Sequence, residues 1–431
     1  MNLSIYNLKL ILSSILLAMM LTACTSPIPK SEAVKTPIYF RITWTDYSGR
    51  GNAIREIVDV FNQTHNAPYE ITLVGGDEDM NAIGASLIDK NKPMIYALPY
   101  RLVKYYGENG DLFDLSADFS TESTHFYPEI WKLGVVEDNL YGIPWVGHSI
   151  CLIYNKTLLK QAGVDPKKIQ SLDTLLSALE NIQTKTLAYG IGLVGANHND
   201  VSWMVNQFIS AYGAKLVDDA GQKVLINDPN AEEAILFYKN NLGAYAQPSW
   251  REDTGVEVMN HFRASKIAFE FQGIWGATDI DKNDNPFEIG ILPLDDIGLK
   301  PEVGPILLSV SKNMPDDMKI ISNQFIQFMI STEAQEMVFK GEYSPEHDAY
   351  YPFRVPMRKD IAEAMTSTEY SKYLSFLSGF DDPSIDVPVS KWQIIKEQLY
   401  QPGLHKVFNS EMTVQDFLTE VEASGNIILN E

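Results

Sequence analysis

Strand and helix patterns alternate along this chain, and that alternation narrows the possible folds more than any other feature. "IYFRITW" (Ile38–Trp44) alternates apolar and polar residues among strong β-formers, as a strand does. Ile54, Ile57, Val58 and Phe61 then recur at helical spacing. "YEITLVGG" reads as a second strand closed by two glycines, "MNAIGASLIDKN" as a short helix and "PMIYAL" as a third strand. This β-α-β-α-β order predicts a parallel sheet wrapped by helices. A second α/β set follows Pro144-Trp145. Its strands are Ser149–Tyr154, "LAYGIGLVG", "AKLVDD", "KIAFEFQ", "FEIGILPL" and "GPILLSVSK". Its helices open at Asn155-Lys156, at Ser171 and at Asp200, and "NAEEAILFYKNNLGAY" makes another. From Met314 to Glu431 the pattern is mostly helical. At 431 residues the chain exceeds the roughly 250–300 that one core supports, so two domains are expected.

The N-terminus reads as an address. Lys9 is followed by an apolar run from Leu10 to Leu21, about 12 residues, where a bilayer-spanning helix needs about 20. The run has the length of a signal-peptide core, expected over residues 1–23. Leu21-Thr22-Ala23-Cys24 resembles the bacterial lipoprotein box, which implies cleavage before Cys24 and lipid on its sulfur. Residues 24–37, with Pro27, Pro29 and Pro37, then form a lipidated tether. With Cys24 committed to lipid, Cys151 stays unpaired; it lies in an apolar run and reads as a buried core residue.

Charge and motifs exclude several function classes. A net charge of −22, without a Lys/Arg cluster to offset it, repels nucleic-acid phosphate and anionic lipid. Gly190, Gly192 and Gly195 have the G-x-G-x-x-G spacing of a dinucleotide turn, and Asp218 and Asp219 lie about 20 residues on. Yet only Leu187, Ala188 and Tyr189 precede the glycines, and the next helix starts too late to aim its N-terminus at a pyrophosphate. The glycines instead let a strand end approach neighbouring backbone closely. "GHSIC" lacks the last glycine of a nucleophile elbow and enters a strand rather than leaving one. "DIDKNDN" lacks the glycine and terminal glutamate of a calcium loop. No metal site and no cofactor are expected.

Nearly the whole chain beyond the tether resembles the extracellular solute-binding proteins of ABC importers, of the carbohydrate-binding type. "FRITWTDYSGRGNAIREIVDVFNQTH", "GDLFDLS", "DNLYGIPWVGHSICLIYNKTLLKQAGV", "AFEFQGIWG", "FEIGILPL", "NQFIQFMISTEAQEMV" and "YYPFRVPMRKD" carry the resemblance. Gln170-Ser171-Leu172, Pro93-Met94-Ile95 and Val303-Gly304-Pro305 depart from the family pattern, and these departures bear on ligand identity. The resemblance implies an α/β, two-lobed periplasmic-binding-protein-like fold of type II, its discontinuous lobes joined by a hinge. Residues 38–146 plus 273–309 would form one lobe and 147–272 plus 310–431 the other. Crossovers would fall near Trp145–His148, Gln272–Gly276 and Ser309–Ser311. A monomeric protein, anchored by lipid outside the cell membrane, would bind a mono- or oligosaccharide and deliver it unaltered to the permease subunits.

Sugars present flat C–H faces and a rim of hydroxyls, which call for aromatic platforms and hydrogen-bonding side chains. Ligands of open α/β sheets sit beyond the carboxyl ends of strands. Trp44, Trp145 and Trp275 fall at expected strand ends, and Trp203 on the helix after the glycine loop. Asp46, Glu78, His148, Gln272 and Arg354 are the polar candidates. Two other assignments share these residues: the same fold holding a polyamine or other non-sugar solute, and a secreted glycoside hydrolase using paired carboxylates.

Overall fold

The computed structural model describes residues 35–431 except 47, 66, 77–78, 90, 284–285, 366–370, 388 and 390. The signal segment and Cys24 lie outside the described residues, as does Glu78. Two sheets organise the rest. Their strands are β1 (Thr36–Arg41), β2 (Tyr69–Val74), β3 (Met94–Pro99), β4 (Ile143–Gly147), β5 (Cys151–Asn155), β6 (Tyr189–Gly192), β7 (Ile267–Gln272), β8 (Ile289–Pro293), β9 (Ile306–Val310) and β10 (Val355–Pro356). The first sheet runs β10-β4-β9-β3-β1-β2 and the second β8-β5-β7-β6.

The parallel pairing expected from the opening pattern is present: β1 lies between β2 and β3, parallel to both. Helices α1 (Gly49–Thr64), α2 (Met80–Leu87) and α3 (Tyr100–Glu108) make the connections. Ile54, Ile57, Val58 and Phe61 are the buried stripe of α1, as their spacing indicates. The returning strands are antiparallel, β9 against β3 and β4 against β9. In the second sheet β6 and β7 run parallel, while β5 opposes both β7 and β8.

Helices of the second sheet include α4 (Lys156–Ala162), α5 (Leu172–Lys185), α6 (Asn199–Ala211), α7 (Pro229–Leu236), α8 (Gly255–Arg263) and α9 (Ile274–Lys282). Asn155 caps α4, its side chain accepting from Thr157 and Leu158. Ser171 and Thr174 form a reciprocal capping box on α5. His198, not Asp200, caps α6: its imidazole accepts from the Asp200 N–H, two residues earlier than the sequence pattern places the start. "AKLVDD" forms no strand; Val217 makes a single bridge to Val224.

Two segments sit elsewhere than the sequence pattern places them. Ile289–Pro293, expected in the first lobe, pairs with β5, where Ile291 faces Ile153 and Leu292 faces Leu152. Residues 310–356, expected in the second lobe, return to the first sheet. There α10 (Asp316–Met329) and α11 (Thr332–Lys340) pack on α1, and β10 pairs with β4. Phe325 of α10 meets both Phe40 and Phe61 edge-on, with ring centres 5.1 Å apart in each pair. The chain therefore passes between the sheets at residues 148–150, at 294–305 and again after Pro356. The last helices, α12 (Gln401–Phe408) and α13 (Val414–Asn430), pack on α6 and α7 of the second lobe. Among the described residues no helix is long and apolar enough to cross a membrane.

Candidate functional site

Between the two sheets lies a cavity of about 610 Å³, inside the range of roughly 300–1,000 Å³ typical of small-molecule sites. Its first wall comes from the end of β3 and the start of α3 (Pro99, Tyr100, Arg101), with Ile306 of β9. The opposite wall comes from the end of β7 (Glu270, Phe271, Gln272), the start of α9 (Trp275, Gly276, Asp279) and α6 (Asp200, Trp203, Met204). The crossing segments contribute His148, Glu302 and Gly304. Strand carboxyl ends thus converge on the cavity, as open α/β sheets dictate.

Trp275 stands in the first turn of α9. His148 meets it edge-on, ring centres 4.6 Å apart, and the Arg354 guanidinium lies 4.9 Å from the indole centre. The same guanidinium lies 5.2 Å from Trp44, so Arg354 bridges an indole of each lobe. Trp44 itself packs edge-on against Phe353, one step behind the cavity wall. Gln272 fixes this corner: its Oε1 accepts the Gly273 N–H at 2.9 Å, immediately before α9 begins. Trp203 presents a half-buried indole whose N–H donates to Asp200 at 3.4 Å. Asp200 also accepts the Gly255 N–H at 2.9 Å, tying α6 to α8.

Charged groups in the wall come largely with their own partners. His148 Nε2 lies 3.2 Å from Glu302. Asp279 binds Arg263. Lys396, almost wholly buried, lies 2.6 Å from Asp386. Asp386 also accepts the Trp392 indole N–H at 3.2 Å, and its backbone carbonyl accepts the Tyr100 hydroxyl at 2.9 Å. Burial in this corner pushes the Tyr100 hydroxyl well above its usual pKa. Glu270 differs from these pairs: burial raises its carboxyl to about 8, against weaker opposing effects of Gln272 and Arg263.

Of the residues singled out in the sequence, His148, Trp203, Gln272, Trp275 and Arg354 line the cavity. Trp145 does not. It is 1% exposed and packs edge-on against Phe40, because β4 is covered on both faces and turns this side chain into the first lobe's core. Asp46 also lies off the cavity wall, in the turn before α1. Its carbonyl accepts from Arg55 at 2.6 Å and its carboxylate lies 3.8 Å from the same guanidinium. Missed by sequence reasoning were Arg50, Tyr100, Arg101, Asp200, Arg263, Glu270, Asp279, Glu302, Asp386 and Lys396. One signal was available for Glu270: a charged residue inside the otherwise apolar strand "IAFEFQ".

The glycine triplet has a packing explanation. A Cβ on Gly190 would meet Leu179 at 2.9 Å, and one on Gly192 would meet Ile267 and Val258 within 2.5 Å. A Cβ on Gly195 would meet the backbone of Trp250 and Arg251 within 2.8 Å. Close approach of β6 to α5, β7 and α8, and of the loop after β6 to the Trp250–Arg251 backbone, accounts for all three.

Residues 56–372 match the family described as bacterial extracellular solute-binding protein. The chain belongs to that family. This solute-binding protein is 26% identical over 163 residues to a probable ABC transporter-binding protein of Deinococcus radiodurans, covering 37% of this chain and 39% of that one. It is 26% identical over 204 residues to the diacetylchitobiose binding protein DasA of Streptomyces coelicolor, covering 46% of each. The chain thus spans less than half the length of these two curated relatives. Among solved structures, the cyclic alpha-maltosyl-1,6-maltose binding protein of Arthrobacter globiformis superposes with a TM-score of 0.76 at 18% identity, over 92% of this chain and 99% of that one. At that identity the likeness establishes the fold: two α/β lobes of the periplasmic-binding-protein kind. Membership of an extracellular family places the protein outside the cytoplasm.

Proposed function

We infer that this protein is the substrate-binding component of an ABC importer and that its ligand is a mono- or oligosaccharide held between the lobes. The observation that carries this is the interlobe cavity with half-buried indoles at Trp203 and Trp275 and a wall of hydrogen-bonding side chains. An indole face covers the C–H face of a sugar ring, and charged or amide groups serve its hydroxyls in the ring plane. Similarity to proteins whose names specify diacetylchitobiose and a cyclic maltosyl-maltose supports the same ligand class. A polyamine would need carboxylates free to receive it. Asp200, Asp279, Glu302 and Asp386 instead lie against His198, Arg263, His148 and Lys396, and burial disfavours the charged form of Glu270.

The ligand passes to permease subunits unaltered, with the protein acting as a monomer tethered to the outer face of the membrane by lipid on Cys24. Tryptophan fluorescence of the protein, titrated with a panel of mono- and oligosaccharides and with polyamines, tests the assignment when chromatography follows the sugar. A saturable change with one saccharide and no product is expected. Turnover of a saccharide, or response to polyamines alone, would overturn it.

A further inference from the structure

Arg50 stands in the first turn of α1 and lines the cavity from the first lobe. A cation there opposes the helix dipole, and the turn carries no acidic residue to offset it, so the folding of α1 gains nothing from this charge. The side chain is half-buried, its guanidinium carbon 5.8 Å from the centre of the Phe353 ring. A guanidinium resting on an aromatic face keeps its in-plane N–H donors available. Among the described residues none of these donors is hydrogen-bonded, and no carboxylate forms a direct ion pair with them. They are not sealed off: no nitrogen of Arg50 is both fully buried and without a partner, so the donors remain open to solvent.

The carboxylates whose charge acts on Arg50 are Glu342 and Asp279. Both are engaged elsewhere. Glu342 Oε1 accepts from Lys282 at 3.1 Å. Asp279 binds Arg263 through one oxygen, and its other accepts the Asn283 amide at 3.1 Å. Arg50, Lys282 and Arg263 thus share two carboxylates, which leaves one positive charge over. Burial lowers the Arg50 pKa more than these two neighbours raise it, as for a cation whose lost hydration is only partly replaced. The guanidinium is nevertheless charged at neutral pH. The wall as a whole has the same sign. Its arginine and lysine side chains outnumber its ionised carboxylates, because burial keeps Glu270 protonated up to about pH 8. In a chain of net charge −22 that local excess runs against the composition.

We propose that Arg50 is the specificity-determining residue of this cleft, its guanidinium receiving the carboxylate or phosphate of an acidic saccharide. The proposal rests on the carbohydrate reading above and names the class of sugar. A neutral sugar offers hydroxyls, which accept from Arg50 but bring no charge. Lobes closing over such a sugar would dry the extra cation further and leave it uncompensated. An oxyanion supplies the missing charge, with two acceptor oxygens spaced for the guanidinium fork. Charge, rather than hydrogen-bonding capacity, does the selecting.

Calorimetric titration of the wild-type protein, Arg50→Gln and Arg50→Lys at neutral pH tests this. The probes are digalacturonate against galactobiose, and a maltose monophosphate against maltose; which pair responds tells the carboxylate from the phosphate. One acidic sugar should bind at least about tenfold more tightly than its neutral counterpart. Arg50→Gln should remove most of that preference while holding the neutral sugar within about threefold of wild type. Arg50→Lys, which keeps the charge without the fork, should retain part of it. Raising NaCl from about 0.05 to 0.5 M should weaken the acidic sugar more in wild type than in Arg50→Gln. Arg50→Gln should melt no lower than wild type, since the charge it removes opposes the α1 dipole. A residue that merely braced one lobe on the other would weaken acidic and neutral sugars alike. That outcome, neutral sugars binding as tightly as acidic ones, or an acidic preference that survives Arg50→Gln would overturn the proposal and leave the carbohydrate reading standing. Failure of every saccharide to bind would overturn both.

Discussion

Trp145 and Trp275 look alike in sequence, each at the end of an expected strand, yet they separate cleanly once packed. Trp145→Ala should cost about 3–5 kcal/mol of stability, the usual loss for a large core aromatic, read as a lowered denaturation midpoint. Trp275→Ala should leave that midpoint nearly unchanged and weaken saccharide binding about tenfold or more, read by calorimetry. Equal effects of the two on stability would contradict the assignment of one to the core and the other to the cavity. Glu270 yields a second, independent outcome. Its carboxyl titrates near its ordinary value of 4.5 in the unfolded chain and near 8 in the folded one. Below pH 4.5 both states hold the proton. Between these values only the folded state does, so the group lowers stability progressively as pH rises, until the loss is complete above about 8. Glu270→Gln should therefore match wild type in thermal stability at pH 4 and exceed it by about 1–3 kcal/mol at pH 8. An equal gain at both values would show that the acid is not held neutral by burial.

At the level of elements, much was legible because local chemistry and tertiary packing agree. The apolar stripe of α1, the Asn155 and Ser171 caps and the strand at Ile267–Gln272 follow directly from residue spacing. The lobe membership of β8 and β10 was not legible. Ile289–Pro293 would suit either sheet by composition; what decides is Ile291 against Ile153 and Leu292 against Leu152, pairs separated by well over a hundred residues. The cavity followed the same rule. Its aromatic platforms stood out by residue type. Its acids, including Asp200 and Glu302, became recognisable only through partners brought from distant segments. The crossing at residues 294–305 shows how tightly such partners are set. A Cβ on Gly304 would meet His148 Cε1 at 2.0 Å. Gly304→Ala should displace the imidazole from Glu302 and Trp275 and weaken saccharide binding several-fold, with little change in secondary structure by circular dichroism. Binding indistinguishable from wild type would show that His148 has room to move without consequence.

For the molecule as a whole, direct contacts join the two lobes at several points besides the three crossings. Arg354 between Trp44 and Trp275 is one, and Lys282 to Glu342 at 3.1 Å is another. The Tyr100 hydroxyl on the Asp386 carbonyl is a third. Polar contacts of this kind suit lobes that open and reclose around a solute. Everything proposed for the site depends on the solute lying between them. A crystal structure of the protein with the tightest-binding saccharide of the panel addresses that directly. A sugar ring against Trp275 or Trp203, with both lobes in contact, is the outcome expected. Sugar bound on the outer surface of either lobe, with the space between the sheets left to solvent, would contradict it.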